Sequence, residues 1–409
     1  MDLFSQANIG PVTLRNRTIR SAAFEGMGKD NNPTPELRDY HLSVAKGGVG
    51  MTTLAYAGIS RSALSFKTQL WLRPEIITPL REITDGIHNY GAKASIQIGH
   101  CGNMTHRSTA GCIPVGASSG FNLYSPTIVR GLKKDELKSL AKQFGEAVRV
   151  ARDAGFDCVE VHAGHGYLIS QFLSPYTNKR RDEYGGSLDN RMRFMRECME
   201  EVMKAAESDM GVLVKTNMRD GFKGGIEIDE AVTIAKEIES SGVHAIVLSG
   251  GFVSKAPMYV MRGEMPIYTM TYYMPQLWLK YGVRMFGKIM VPNEKFKELY
   301  FLDDAKIFRK ELKLPLVYVG GVVSKENALQ VMDEGFDFIQ MGRALLNEPD
   351  FVNKIKESES HKCGCDHVNY CIARMYSREM ACHKHLESLP KGILKEIDKI
   401  KKRDGITTN

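Results

Sequence analysis

Eight short apolar runs punctuate the chain at intervals that leave room for a helix between most of them. They are TIRSAA (18–23), GMTTLAYA (50–57), ASIQI (94–98), DCVEV (157–161), VLVKT (212–216), HAIVLS (244–249), LVYVGG (316–321) and DFIQMG (337–342). Strand signals alternating with helical ones favour βα units and a parallel sheet. The clearest helix starts near Lys134, with Leu137, Leu140, Ala141, Phe144, Val148 and Ala151 on one face and Gly155 as its stop. Eight such units predict an α/β chain folded as a (β/α)8 barrel, whose chemistry sits on loops leaving the C-terminal strand ends. A doubly wound dinucleotide fold fits less well, because no GxGxxG follows a strand and no Walker motif is present.

The 409 residues, 43% hydrophobic and 25% charged, suffice for one large core. No apolar run reaches the about 18 residues of a membrane span. The first residues, MDLFSQANIGPVTLRNR, lack an apolar signal core, so Met1 reads as the native start of a cytoplasmic protein. Much of the net charge of +7 lies in KGILKEIDKIKKRD (391–404). That tail has no aromatics, so it reads as a solvated helix end, and neither nucleic acid nor membrane is expected as a partner. A long insertion, about 252–314, separates the sixth and seventh runs and carries PMYVMRGEMPIYTMTYYMPQLW (257–278). It reads as a helical excursion on the barrel or a contact in a homo-oligomer, or else as a pliable wall over an apolar substrate. The expected division is a barrel over 1–360 and a cysteine-containing extension over 361–409.

Chemistry concentrates after the fourth run, in VHAGHGYLISQFLSP (161–175). His162, His165 and Tyr167 fall together at the predicted mouth. A zinc site would want a third ligand and the helical i, i+4 spacing, and this loop offers neither. Late in the chain, Gly320, Gly321 and Gly342 close two strand ends, and Arg343 follows. Glycine lets the backbone approach an oxyanion, and arginine adds a forked cation, so these residues suit a phosphate. Lys215 ends a middle strand and could face the same ligand.

These residues resemble the Old Yellow Enzyme family, in its NADH:flavin oxidoreductase branch. The resemblance rests on IGPVTLRNRTIRSA (9–22), QIGHCG (97–102), EVHAGHGYLISQFLSPYTNKRRDEYGGSLDNRMRF (160–194) and VYVGGVVSKENALQVMDEGFDFIQMGRALLNEPDFVNKI (317–355). It implies a (β/α)8 barrel with non-covalent FMN, reduced by NADH or NADPH, acting as an ene-reductase on α,β-unsaturated carbonyl compounds. It further implies that His162 and His165 donate to the substrate carbonyl oxygen, where two such donors stabilise developing negative charge. Tyr167 would give the proton. Gln97 and Lys215 would meet the flavin's pyrimidine edge. Ala22 and Ala23 would lie beneath it, and His100 near it. Gly320, Gly321, Gly342 and Arg343 would hold the FMN phosphate. Two positions depart from the family pattern: Ala23 replaces a Thr or Cys, and Asn103 replaces an arginine. The same pocket in this family also serves dienoyl-thioester reductases, dehydrogenases and demethylases. A non-catalytic phosphate-binding barrel is the remote alternative.

Some longer relatives carry a four-cysteine iron–sulfur site after the barrel. The corresponding run here is CGCDHVNYCIARMYSREMAC (363–382). Cys365, Cys371 and Cys382 align, but Val368 stands at one ligand position. Cys363 is a strained substitute for a cubane's fourth thiolate. A zinc site with His367 or His383 is the other option. The expectation is that no metal is bound.

Overall fold

The computed structural model describes residues 2–123, 126–274 and 276–406. Met1, 124–125, Pro275 in the inserted stretch, and 407–409 at the end of the extension lie outside the described residues.

Eight parallel strands close into a barrel. They are β1 (Thr18–Arg20), β2 (Met51–Gly58), β3 (Lys93–Gly99), β4 (Cys158–His162), β5 (Gly211–Asn217), β6 (Ala245–Ser249), β7 (Leu316–Val319) and β8 (Phe338–Met341). Each hydrogen-bonds to its neighbour in chain order, and β8 pairs with β1. All eight predicted runs become strands. β7 stops before Gly320, because Gly320 and Gly321 adopt φ of +143° and +71°, which a strand cannot continue through.

The main helix after each strand packs outside: α1 (Pro35–Lys46), α2 (Ile77–Asn89), α3 (Lys134–Asp153), α4 (Leu188–Ala206), α5 (Ile228–Ser240), α6 (Leu302–Glu311), α7 (Lys325–Asp333) and α8 (Phe351–Glu357). The predicted helix from Lys134 is α3, and Phe144, Val148 and Ala151 on its inner face are fully buried. A smaller cluster of Leu213, Val247, Val317 and Phe338 fills the barrel's lower interior, under a hairpin of Ala7–Ile9 and Val12–Leu14. This is the packed core expected of such a barrel.

Ahead of α6, which itself falls within 252–314, the described residues of the insertion form the helices Pro257–Met261, Ile267–Tyr272 and Leu277–Met290. The basic tail forms a helix over Lys391–Asp404, but it is not simply solvated. Ile393, Ile397 and Ile400 are buried with Val368 and Tyr370, against Tyr268 and Tyr272 of the insertion. Their i, i+4, i+7 spacing is an amphipathic signature that outweighs the charge around it.

The end of β1 is secured by a buried ion pair. The Arg20 guanidinium lies 2.6 Å from Glu25, and both are almost wholly enclosed. Arg20 also donates to Thr53 O, and Glu25 accepts from the Ala55 backbone. Removing one partner strands the other charge in the core. Glu25→Ala is expected to cost about 3–5 kcal/mol in urea unfolding, with the double change Arg20→Met, Glu25→Leu recovering most of it.

Candidate active site

The barrel's upper interior is polar because four strands aim long polar side chains inward. Glu160 and His162 are two apart on β4 and so share the inner face. Gln97 on β3 sits in register with Glu160, and Lys215 on β5 with His162. Glu160 is wholly buried and gathers three donors. Gln97 Nε2 donates to it at 2.6 Å and Gln340 Nε2 at 2.6 Å, while Lys215 Nζ approaches to 2.8 Å. This carboxylate decides how two amides point. With its nitrogen committed to Glu160, Gln97 has its carbonyl oxygen left for another partner. Gln340 turns its oxygen to the Ser21 hydroxyl, which donates at 3.1 Å.

Above this layer the β4 loop makes a forced turn. His165 has φ of +59°, followed by Gly166 at +80°. A left-handed histidine persists only where its surroundings hold it. Here its N–H donates to Asn217 Oδ1 at 2.9 Å, and its carbonyl accepts from Val253 N at 3.0 Å. A Cβ on Gly166 would meet the Phe252 ring at 2.5 Å, so the loop is wedged between β5 and the start of the insertion.

The wedge brings three rings together. The His162 and His165 centroids are 5.0 Å apart and perpendicular, and the His162 and Tyr167 centroids are 4.6 Å apart. Tyr56 closes the group at 5.1 Å from Tyr167. His162 Nδ1 accepts from Gly164 N, which puts the proton of the neutral ring on Nε2. His165 Nε2 lies 2.8 Å from the Ser249 hydroxyl, leaving Nδ1 for another partner. Burial holds the His162 imidazole well below its ordinary range, and the adjacent His165 and Lys215 push the same way. Burial and then Lys215 bring His165 down to about 3. Burial raises the Tyr167 phenol, so it stays protonated. The group is therefore two neutral imidazoles and a phenol.

The remaining sequence-predicted residues lie around this rim. His100 is buried, accepts from Gly102 N and faces Ser62. Ala22 and Ala23 are half-buried past the end of β1, and Ala23 packs beside Leu346 and Cys371. Gly320 and Gly321 back onto the Tyr300 ring. Arg343 donates to Asn369 and lies over Phe296. A Cβ on Gly342 would meet nothing within 4 Å, so open space adjoins that backbone. Asn103 is tied to Gln171 rather than aimed at the mouth.

The sequence reading missed Glu160, Gln340, Ser249 and Tyr56. Two of them left a signal, since a glutamate in DCVEV and a glutamine in DFIQMG are out of place in buried strands. In the cysteine run, His383 is engaged by Asp366 at 2.9 Å and His367 stacks on Phe296. Among the described residues, no group of three or more His, Cys, Asp or Glu is set to hold a metal ion.

The sequence matches the NADH:flavin oxidoreductase / NADH oxidase family over 2–271 and 288–362. The chain belongs to this family. It is therefore an FMN-dependent oxidoreductase that draws on NAD(P)H. It is 37% identical to the 4,4'-dithiodibutanoate disulfide reductase of Rhodococcus erythropolis, across 92% of this chain and 93% of that protein. Among solved structures, the fold resembles an old yellow enzyme homologue from Zymomonas mobilis, with a TM-score of 0.72, 22% identity, and coverage of 92% of this chain and 97% of that one. It also resembles 2-naphthoyl-CoA reductase in complex with 2-naphthoyl-CoA (TM-score 0.78, 22% identity, 97% of this chain), of which this chain spans 58%. The barrel's likeness to old yellow enzymes bears out the TIM-barrel expectation.

The buried histidines set an acid limit on stability. Unfolded, each titrates near ~6.5; folded, His100 is brought down to about 3 by burial, and His162 is lowered as well. Between those values the unfolded chain binds more protons, so stability falls as pH drops below about 6.5. Urea unfolding is expected to show a loss approaching ~1 kcal/mol per pH unit from His100 between pH 6 and pH 4, with His162 acting in the same direction. His100→Gln should reduce that slope.

Proposed function

We propose that this enzyme reduces the C=C bond of α,β-unsaturated carbonyl compounds. The observation that carries the reading is the convergence of His162, His165 and Tyr167 at one barrel mouth, all uncharged. Bound FMN, once reduced by NAD(P)H, supplies the hydride that adds to the β-carbon. The chain's own residues handle the charge and the proton. His162 Nε2–H and His165 Nδ1–H donate to the substrate carbonyl oxygen, which gains negative charge as hydride adds. One such preorganised donor contributes about 3 kcal/mol. Neutral imidazoles suit this role because they polarise the oxygen without protonating it early. Tyr167 delivers the proton to the α-carbon. Its phenol and that of Tyr56 both lie against the Ser65 hydroxyl, which steadies the donor.

The rest of the mouth fits the cofactor. Gln97 offers a fixed acceptor and Lys215 a cation to the flavin's pyrimidine side, where a cation favours the reduced, anionic form. For the phosphate, Gly342 offers backbone with open space beside it, Gly320 and Gly321 a tight positive-φ turn packed on Tyr300, and Arg343 the charge. Ala22 and Ala23 offer small side chains beneath the ring.

A second reading, disulfide reduction, is favoured by the disulfide reductase at 37% identity. It needs the same reduced cofactor, but the electrons go to a sulfur–sulfur bond, so no enolate-like oxygen develops for the paired donors to stabilise. Turnover with cyclohexenone against 4,4'-dithiodibutanoate separates the two.

Stopped-flow traces on the FMN-loaded enzyme test the roles. Tyr167→Phe is expected to slow reoxidation by cyclohexenone 100-fold or more, following the usual ~10²–10⁴ of general acid catalysis, while NAD(P)H reduction stays within about threefold. Equal loss in both half-reactions would rule out Tyr167 as proton donor. His162→Ala is expected to weaken enone binding and slow its reduction together, by about 100-fold in kcat/KM.

A further inference from the structure

The helix Leu277–Met290 turns an apolar face to water. Trp278 is 73% exposed, Met285 70% and Ile289 81%. Tyr281 and Phe286 extend the same patch. Single exposed apolar residues are ordinary, but a contiguous helical face of this kind marks a binding surface. The two stretches matched by the family break at 272–287, so most of this helix lies outside the shared framework.

Charge indicates what covers it. The helix holds no acidic residue, and its own basic row is turned onto the protein: Lys280 donates to Tyr272 O, Arg284 to the Thr271 hydroxyl, and Lys288 pairs with Glu264. The C-terminal helix and this one both pack on Ile267–Tyr272. Glu264 bridges the two, pairing with Lys288 at 3.7 Å and with Arg403. The inner face of the C-terminal helix is anchored by its isoleucines, and Glu396 is occupied by Tyr268 N and Thr269 N. Its outer face shows Lys391, Lys395, Lys399 and Lys402 in one exposed stripe, with Asp398 as an interruption. An apolar helix carrying Trp and Tyr, flanked by lysines, is built to lie in an anionic lipid interface. A second copy of this chain would bring the same positive stripes together and offer little acid to meet them.

We infer that the Leu277–Met290 helix and the lysine stripe of Lys391–Asp404 dock this enzyme on anionic membrane surfaces. No helix among the described residues is long and apolar enough to cross a membrane, so the contact is peripheral. Trp278, Met285 and Ile289 enter the headgroup boundary, and the lysines meet lipid phosphates. The inference does not depend on which substrate the mouth reduces.

Flotation of the FMN-loaded full chain tests it, with phosphatidylcholine vesicles with and without phosphatidylglycerol. The enzyme is expected to float with the anionic vesicles at low salt, to release as salt rises, and to stay behind with neutral ones. The triple change Trp278→Ser, Met285→Ser, Ile289→Ser should abolish flotation. The triple change Lys391→Gln, Lys395→Gln, Lys399→Gln should weaken it about fivefold per lysine, roughly a hundredfold in all. FMN content and turnover of a water-soluble enone should not change in either. In a Trp71→Phe background, Trp278 emission should shift to the blue on anionic vesicles only. Absence of anionic-vesicle binding by the unmodified enzyme at low salt would overturn the inference. So would equal binding to both lipids, or a lipid-free dimer that the apolar triple variant dissolves while no vesicle binding is seen.

Discussion

The Glu160 carboxylate organises the upper barrel. It is enclosed on all sides, and an isolated buried carboxylate is costly unless donors surround it. Gln97, Gln340 and Lys215 meet that need from three different strands. The consequence runs outward. A free glutamine amide has two faces of opposite hydrogen-bonding character, and Glu160 removes the choice. Lysine on a flexible stem becomes a cation at a fixed place. Under the proposed reading, in which Gln97 and Lys215 meet the flavin, these groups are set before it binds, which is how a site avoids reorganising during reaction.

The histidine loop depends on that layer from above. Lys215 beside His162 and His165 joins burial in keeping both rings neutral. The left-handed turn at His165 is held by Asn217, itself fixed by donation to Asp220 and to Gly251 O. The loop is therefore braced by the strand on one side and by the first residues of the insertion on the other. Both bracing residues, Phe252 and Val253, lie within the stretch matched by the family. The insertion also carries the exposed helix, so one segment both supports the mouth and shapes the surface around it.

Much of the fold was legible because buried parallel strands leave continuous apolar runs. The errors fell at glycines: LVYVGG read as one strand, but positive φ at Gly320 and Gly321 ends β7 at Val319. The tail was misread because its lysines drew more weight than Ile393, Ile397 and Ile400. The loop histidines and Tyr167 were legible as a motif, and the structure shows why they meet. Glu160 was visible as an anomaly, but its partners were not, since contacts between strands 63 and 180 residues apart leave no local pattern. Tyr56 and Ser249 gave no signal, because each is an ordinary residue at a strand end that matters only through what lies opposite.

The account turns on Glu160 as the group that orients Gln97 and neutralises Lys215. Glu160→Gln keeps the shape but removes the charge and places an amide nitrogen against a donor. A redox titration of FMN-loaded Glu160→Gln beside the unmodified enzyme is the most direct test. With Lys215 no longer offset, the flavin midpoint potential is expected to rise by at least ~30 mV, a tenfold preference for the reduced form in a two-electron couple. FMN should also dissociate more readily as Gln97 turns. A potential and an FMN affinity both unchanged would contradict the account.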